Sequence, residues 1–328
     1  MNLQNLRLLR QANGLSLSEM AELLTANGYP ITKGTLSNYE IGKFLPQDDF
    51  YSIVSKELNV PISFFNDDTD YSSDIVFFSE ISMADRRLQE LNSFIAIEVG
   101  RSYLLDRKLG IENRWSYSEP AMIAEADVEA YVADLRKTWG LGDCPISSVC
   151  GLLERKGWYL FSAPESFTER NLCGYIRNLG IPFALFQPDV FQDELRINLL
   201  KSLGRSLIKG KTQELTEKLI ARFARAMLAP GELIRYEFGE KRTSISEIEL
   251  STVKQSLGLG KRYIMKRLRE LGIVSNTVYS DYINYLSQRR YLTGIGGLID
   301  NSTFFDIPTS YEMRVARAKS EGIDLSGS

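Results

Sequence analysis

The sequence predicts a mainly α-helical protein with a small β-sheet, an α+β fold divided into several units. Apolar residues recur at helical spacing, between recognisable caps, through the first 66 residues. Helical periodicity returns from about residue 80 and again beyond residue 245. Strand-like runs are few and sit near the middle of the chain, from Trp158 to a hairpin signal around "NLG" at 178–180. A length of 328 residues leaves room for two or three cores, and 44% hydrophobic with 25% charged residues is ordinary globular composition.

Composition narrows the chemistry before any element is placed. A formal charge of -3 argues against a chain coated in basic residues, so any nucleic-acid contact must come from a local surface. Histidine is absent, which removes the commonest general base and the commonest zinc ligand, and excludes serine-histidine or cysteine-histidine catalysis within the chain. Cys144, Cys150 and Cys173 are odd in number and lack CxxC spacing, so they are expected to be reduced thiols used in packing. The opening "MNLQNLRLLRQANG" has no signal-peptide apolar core, and no run approaches the roughly 20 apolar residues of a membrane span. A soluble, cytoplasmic protein is expected.

Residues 1–66 read as a series of short helices. Ser16 is placed to cap a helix in which Leu17, Met20, Ala21 and Leu24 recur at helical spacing, and Glu19 completes a capping box. After the turn "TANGYPI", Thr32 can cap a further helix whose Leu36 and Tyr39 share one face. Lys33, Gly34, Thr35, Ser37 and Asn38 are left largely polar, a candidate reading surface. The spacing of "LRLLRQANGLSLSEMAELL" and above all "TKGTLSNYEIGKFLP" resembles the Xre family of lambda-repressor-like helix-turn-helix domains. That resemblance implies five helices, the third entering the major groove of double-stranded DNA, with Lys33, Gly34, Thr35, Ser37 and Asn38 at base edges or adjacent phosphates and Ser16 and Lys43 on the backbone. The residue types suit the task, since lysine can donate to guanine and asparagine can read adenine bidentately. Leu17 departs from the family pattern, where a polar side chain is usual, and "TANGYPI" lengthens the turn.

Residues 67–120 read as a linker: "DDTDYSS" is polar, and Leu88, Leu91, Ile95, Val99 and Leu104 suggest one or two connecting helices. Residues 121–240 form the next unit, with a long amphipathic helix, a glycine stop, a second helix, a strand near Trp158, the hairpin, and then "INLLKSLGRSLIKG" from Ile197 to Gly210. In that last stretch Leu199, Leu200, Leu203 and Leu207 make an apolar stripe, and Gly204 suits close approach of a neighbouring element. Lys201 and Arg205 stand one turn apart, with Ser202 beside the first. The plain reading makes them two solvated cations on a helix; the functional reading gives them an anion or an acidic partner. A serine-lysine hydrolase from Ser202 and Lys201 has poor geometry, because adjacent helical residues point about 100° apart.

The order of these pieces, with "LRKTWGLGDCPISSVCGLLERKGW" before the hairpin and "ARFARAMLAP" after the central helix, resembles the ImmA/IrrE family of zincin-like metallopeptidase domains. Active members carry HExxH on that helix, two histidines to grip zinc and a glutamate to deprotonate its water. Here those positions read Lys201, Ser202, Leu203, Gly204 and Arg205, and the glutamate of the following helix falls on Leu219. A protonated lysine or a guanidinium has no lone pair for a metal. The resemblance therefore implies a pseudo-peptidase without catalytic residues, metal or cofactor. The rival reading is a metallopeptidase using Asp189, Asp193 or Glu194 as carboxylate ligands.

Residues 241–328 close the chain. "ISEIELSTVKQSLGLGKRYIMKRLRELGIVS" contains two helices around "GLG", with Ile264, Leu268 and Leu271 along one side of the second. It resembles the helix-turn-helix segment that often follows the peptidase part of that family. Lys254, Lys261, Arg262, Lys266, Arg267 and Arg269 make it the most basic tract, either a phosphate contact or a solvated cationic face. "TGIGGLID" lacks the features of a phosphate loop. The final "ARAKSEGIDLSGS" is expected to fray. Taken together, these readings lead to an expected dimeric, sequence-specific transcriptional regulator. It would repress a prophage, mobile element or stress operon and answer to a protein antirepressor or small-molecule inducer, with a protein-interaction adaptor as the alternative that reads no DNA.

Overall fold

The computed structural model describes residues 4–58, 60, 62–66, 74–113, 115–167, 172–187, 190–293 and 305–323. The fold is mainly helical with a small mixed sheet. The polar run "DDTDYSS", Asp189 and all but the first residue of "TGIGGLID" lie outside the described residues.

The first 66 residues form five helices, α1 (Gln4–Ala12), α2 (Leu17–Ala26), α3 (Lys33–Glu40), α4 (Asp48–Glu57) and α5 (Ser63–Asn66). Local chemistry sets their starts. The Ser16 hydroxyl accepts from the Glu19 N–H at 3.2 Å while the Glu19 carboxylate accepts from the Ser16 N–H at 2.7 Å, so the capping box is complete. Thr32 caps α3 by accepting from the Thr35 N–H at 3.2 Å. Leu6, Leu9, Met20, Leu24, Leu36, Phe50 and Val54 fill the core between these helices. Arg10 ties α1 to α3 through a two-pronged contact with Glu40, at 2.6 and 2.9 Å, and donates to the Leu15 carbonyl.

The linker holds a strand, β1 (Ile75–Phe77), and one long helix, α6 (Asp85–Lys108). The strand is a departure from the expected polar linker. Three residues are too few to show alternation, and what makes them a strand is an edge to pair with. That edge belongs to the central unit, whose strands β3 (Tyr159–Ser162), β4 (Cys173–Ile176) and β5 (Ile181–Phe186) build a four-stranded sheet in the order β1-β4-β5-β3. β1 and β5 flank β4 antiparallel, and β3 lies parallel to β5. Gly174 makes the β1 pairing possible, because a Cβ there would meet the Val76 carbonyl oxygen at 2.2 Å.

Side chains alternate across this sheet. Tyr159, Phe161, Ile176, Ile181, Phe183 and Leu185 face one core, while Leu160, Cys173 and Ala184 face another. The first core contains α6 through Leu91, Ile95 and Val99 and continues without a break into the five-helix unit. The second holds most of the later helices: α7 (Val128–Thr138), α8 (Val149–Arg155), α9 (Gln192–Leu207), α10 (Gln213–Leu228), α11 (Gly231–Phe238), α12 (Glu247–Leu257) and α13 (Lys261–Glu270). The helical stretch expected over 197–210 starts earlier, at Gln192, and stops at Leu207. Ile208 and Lys209 instead form β6 (Ile208–Lys209), parallel to β2 (Ala121–Met122). Leu199, Leu200 and Leu203 are buried as expected, but Leu207 is only half-buried at the helix end. Gly204 lets α10 approach closely, since a Cβ would stand 3.0 Å from Phe223.

Two further expectations change. Cys150 and Cys173 are buried, whereas Cys144 is exposed in a loop. The tail does not fray over 316–323, while 324–328 lie outside the described residues: α14 (Asn276–Thr293) is followed by α15 (Ser310–Ser320), whose Ala318 is buried against Leu105 and Leu109 of α6. Ahead of α15, the carboxylate of Asp306 is buried and accepts from the Val149 and Cys150 N–H groups and the Ser148 hydroxyl, with the Arg196 guanidinium at 3.4 Å. Glu154 accepts from the Thr309 and Ser310 N–H groups, and Arg314 pairs with Asp106 at 2.8 Å.

A buried ion cluster joins the third unit to the second. Arg267 is fully buried and donates to the Ala229 carbonyl and, through two nitrogens, to Glu129, which also accepts from Arg222. Burial alone would raise the Glu129 pKa, but the hydrogen bonds and charge of Arg267, then of Arg222, outweigh it and hold the carboxyl below its ordinary value.

Two outcomes follow for denaturant unfolding. Gly174→Ala is expected to lower stability by about 1–3 kcal/mol, because the clash is with backbone and β1 must shift. Glu129→Gln is expected to cost about 3 kcal/mol at neutral pH by leaving Arg267 uncompensated. Because the folded pKa of Glu129 is depressed, its contribution is complete above the ordinary carboxylate value and lost as pH falls through the folded one. The stability gap between wild type and Glu129→Gln should therefore close on acidification.

Candidate functional site

Helix α3 carries most of the residues expected to read DNA. With about 100° between successive residues, Leu36, Tyr39 and Glu40 point to the core, which turns Gly34, Ser37 and Asn38 outward. Lys33 and Gly34 are exposed, and Ser37 and Asn38 are half-buried along the helix flank. Thr35 differs, since its hydroxyl lies 3.0 Å from that of Thr32 and is engaged in the cap. Gly34 faces open space: an added Cβ would meet only the Thr32 hydroxyl, at 3.8 Å. Lys43 is exposed beyond the helix, its ammonium over the Phe44 ring at 5.7 Å.

Ser16 and Lys33 line a cleft of about 380 Å³ in which α2, α3 and the start of α6 meet, together with Arg10, Arg86 and Gln89. Arg86 is the residue that sequence reasoning missed. Its side chain is 83% exposed and leans on Glu90 at 3.0 Å. The Glu19 carboxyl is held below its ordinary value by the Ser16 N–H and hydroxyl, and the Arg86 charge adds to this. In the sequence Arg86 belongs to "DRRLQE", a polar helix start some 50 residues from α3. Only the packing of α6 on α1 carries it to this cleft.

The second constellation lies on α9. Ser202 is buried and donates to the Asn198 carbonyl at 3.2 Å, so its hydroxyl serves the helix. Lys201 is half-buried. Burial pushes its pKa down, and the neighbouring charges of Arg205 and Arg225 push it further. Arg205 reaches Glu217 at 2.9 Å with 11% of its side chain exposed. Arg205 is therefore a paired, largely covered cation, while Lys201 keeps part of its surface in solvent. Cys173 lies against Arg205 and Ser202, its thiol pKa raised by burial. Leu219 on α10 is wholly buried and packs toward Gly210. Lys201, Ser202 and Arg205 are thus brought together, and Leu219 belongs to the apolar core.

Asp193 is buried at the start of α9 and accepts from the Glu194 N–H at 2.9 Å. Among the described residues no three cysteine, aspartate or glutamate side chains are grouped to hold a metal ion. The basic carboxy-terminal tract does not form one cationic face. Arg267 is the buried partner of Glu129, Lys261 pairs with Glu247 at 2.6 Å, and Lys266 and Arg269 stack over Tyr279. Among the described residues no helix is long and apolar enough to cross a membrane.

Comparison with protein families matches residues 6–65 to the helix-turn-helix family. No curated protein matches the chain. The matched residues coincide with α1 to α5, and the chain carries a DNA-binding helix-turn-helix domain of the Xre-like transcription-regulator type.

Gly34→Ala separates folding from recognition. Alanine in a helix with open space around it should raise stability by up to about 1 kcal/mol, while the added methyl on the expected reading face should weaken binding. Thermal unfolding and a mobility-shift titration on the same preparation check both signs.

Proposed function

We propose that this protein is a sequence-specific repressor of a prophage, mobile-element or stress operon. In this reading α3 reads the operator, and the body is a ligand-sensing, catalytically silent relative of the ImmA/IrrE peptidases. The observation that carries the reading is the continuous core running from the five-helix unit through α6 to the sheet. A reader hung on a free linker could not feel events in the body; one that shares a core with it can.

The arrangement gives each part a physical role. Asn38 can offer a bidentate contact to adenine, Lys33 a donor to guanine, and Ser16, Lys43 and Arg86 contacts to phosphate. A single domain of this size buries little surface on DNA, so the working form is a dimer on paired half-sites, acting in the cytoplasm where the operator lies. A protein antirepressor or small-molecule inducer on the body changes the spacing of the two readers, and it does so only by binding the two arrangements unequally. Lysine, serine, arginine and leucine at the four catalytic positions support the silent reading, as these side chains supply neither metal ligands nor a base.

Genome-wide recovery of bound DNA, followed by footprinting, tests the proposal. A short, often two-fold-related motif upstream of a few operons is the expected result, and absence of any enriched sequence would leave the adaptor reading in its place. Asn38→Ala should weaken operator binding by about 1–3 kcal/mol and relax one base position. Arg86→Ala should weaken binding similarly across sequences and reduce the salt slope by about 1.

A further inference from the structure

Gln11 stands half-buried in the last turn of α1 and lines the cleft that it shares with Ser16, Lys33 and Arg86. Its amide oxygen accepts from the Ser93 hydroxyl of α6 at 3.2 Å. Ser93 is buried, so this bond lies in the seam between α1 and α6. A primary amide carries its acceptor and its donors on separate arms. With the oxygen turned into the seam, the Nε2 arm points away from it, donates to no described residue and is not sealed from solvent. The open volume beside Gln11 is the cleft. Its other polar groups set what that arm can meet. Arg10 spends its donors on Glu40 and the Leu15 carbonyl, and Glu90, the carboxylate lining the cleft, is engaged by Arg86. Lys33 has no hydrogen bond or ion pair among the described residues. A free pair of amide donors beside an unpaired ammonium favours an anion.

We propose that Gln11 donates through Nε2 to a backbone phosphate of the operator seated in this cleft, and that Ser93 is a positioning residue that holds the amide in the donating orientation. Without the Ser93 hydroxyl the amide can rotate or present its oxygen, which repels a phosphate. The inference rests on the reading of the amino-terminal unit as an operator reader and adds to it a contact made in part by α6. Ser93 lies on the helix that also packs against the sheet through Ile95 and Val99. The phosphate seat is therefore complete only while α6 stays on α1, which lets an event in the body weaken DNA binding within a single protomer.

The test is titration of the full chain and its variants against the recovered operator and a scrambled duplex, each at several salt concentrations. Gln11→Met is expected to weaken binding by about three- to tenfold on both duplexes, because a phosphate contact carries no sequence information. The salt slope should stay unchanged, since a neutral amide releases no counterion, whereas loss of a cation would reduce it. Gln11→Glu keeps an acceptor for Ser93 and sets a negative charge against the phosphate, so it should unfold near the wild-type Tm and bind DNA more weakly than Gln11→Met. Ser93→Ala should weaken binding in the wild-type background and cost nothing further in Gln11→Met, the non-additivity of a residue that acts through another. The contact is overturned if Gln11→Met or Gln11→Glu binds as wild type does, or if the loss is confined to the operator. The positioning role is overturned if Ser93→Ala costs the same in both backgrounds. If Asn38→Ala abolishes discrimination between the duplexes while Gln11→Met binds normally, the operator reading stands and the contact alone falls. If the wild-type chain binds neither duplex, both fall together.

Discussion

Helix α6 is the member on which the rest of the structure depends. Its 24 residues span about 36 Å. Along that length Leu91, Ile95, Ala96 and Val99 are wholly buried between α1 and the sheet. Each side chain larger than alanine stabilises by about 1.5–3 kcal/mol when fully withdrawn from water. The five-helix unit is too small to bury much apolar surface alone, and the face of the sheet opposite α9 would be bare without a cover. One helix meets both needs, and the cost is that neither unit can move independently of it. At its far end the tail clamps it, with Arg314 on Asp106 and Ala318 against Leu105 and Leu109. The Ser93 hydroxyl donating to Gln11 adds a polar stitch nearer the reader.

Charge is handled differently in the amino-terminal unit and in the body. With a net charge of -3 the protein has no general attraction for DNA, and its basic contacts must be concentrated. Exposed basic residues gather where α2, α3 and α6 meet: Lys33 and Arg86 are both exposed at one cleft, and Lys43 stands just beyond α3. In the body, positive charge is drawn inward. Arg136, Arg196 and Arg267 are each almost inaccessible and act as struts between segments distant in sequence, supplying several donors to carbonyls and carboxylates. Arginine suits this because its planar donors can satisfy several acceptors and it is weakly hydrated. Lys201 has neither advantage and sits where neighbouring cations oppose it.

The amino-terminal unit was legible because what defines it is local. Ser16 with Glu19, and Thr32 with Thr35, act across three residues, and the apolar spacing of α2 and α3 repeats within two turns. The hairpin of β4 and β5 was legible for the same reason, a turn of four residues between short apolar runs. The α9 constellation was visible as a pattern, but not how far each cation is covered. The approach of α10 along Gly204 and Phe223 leaves Arg205 with 11% of its side chain exposed, while Lys201 keeps part of its surface in solvent.

Sequence by itself determined the helical reader with its caps, the mainly α architecture with a small sheet, and, through the lack of histidine, the chemistries closed to this chain. Those properties depend on residue type and on neighbours a few positions away. Tertiary structure decided the rest: β1 as a strand, Arg86 at the reading cleft, Arg267 as a buried strut, and a tail docked through Asp306. Each depends on partners far along the chain, as with Asp306 and Val149 at 157 residues apart. An edge strand, a buried charge or a docked tail is defined by what covers it, and no local periodicity records that.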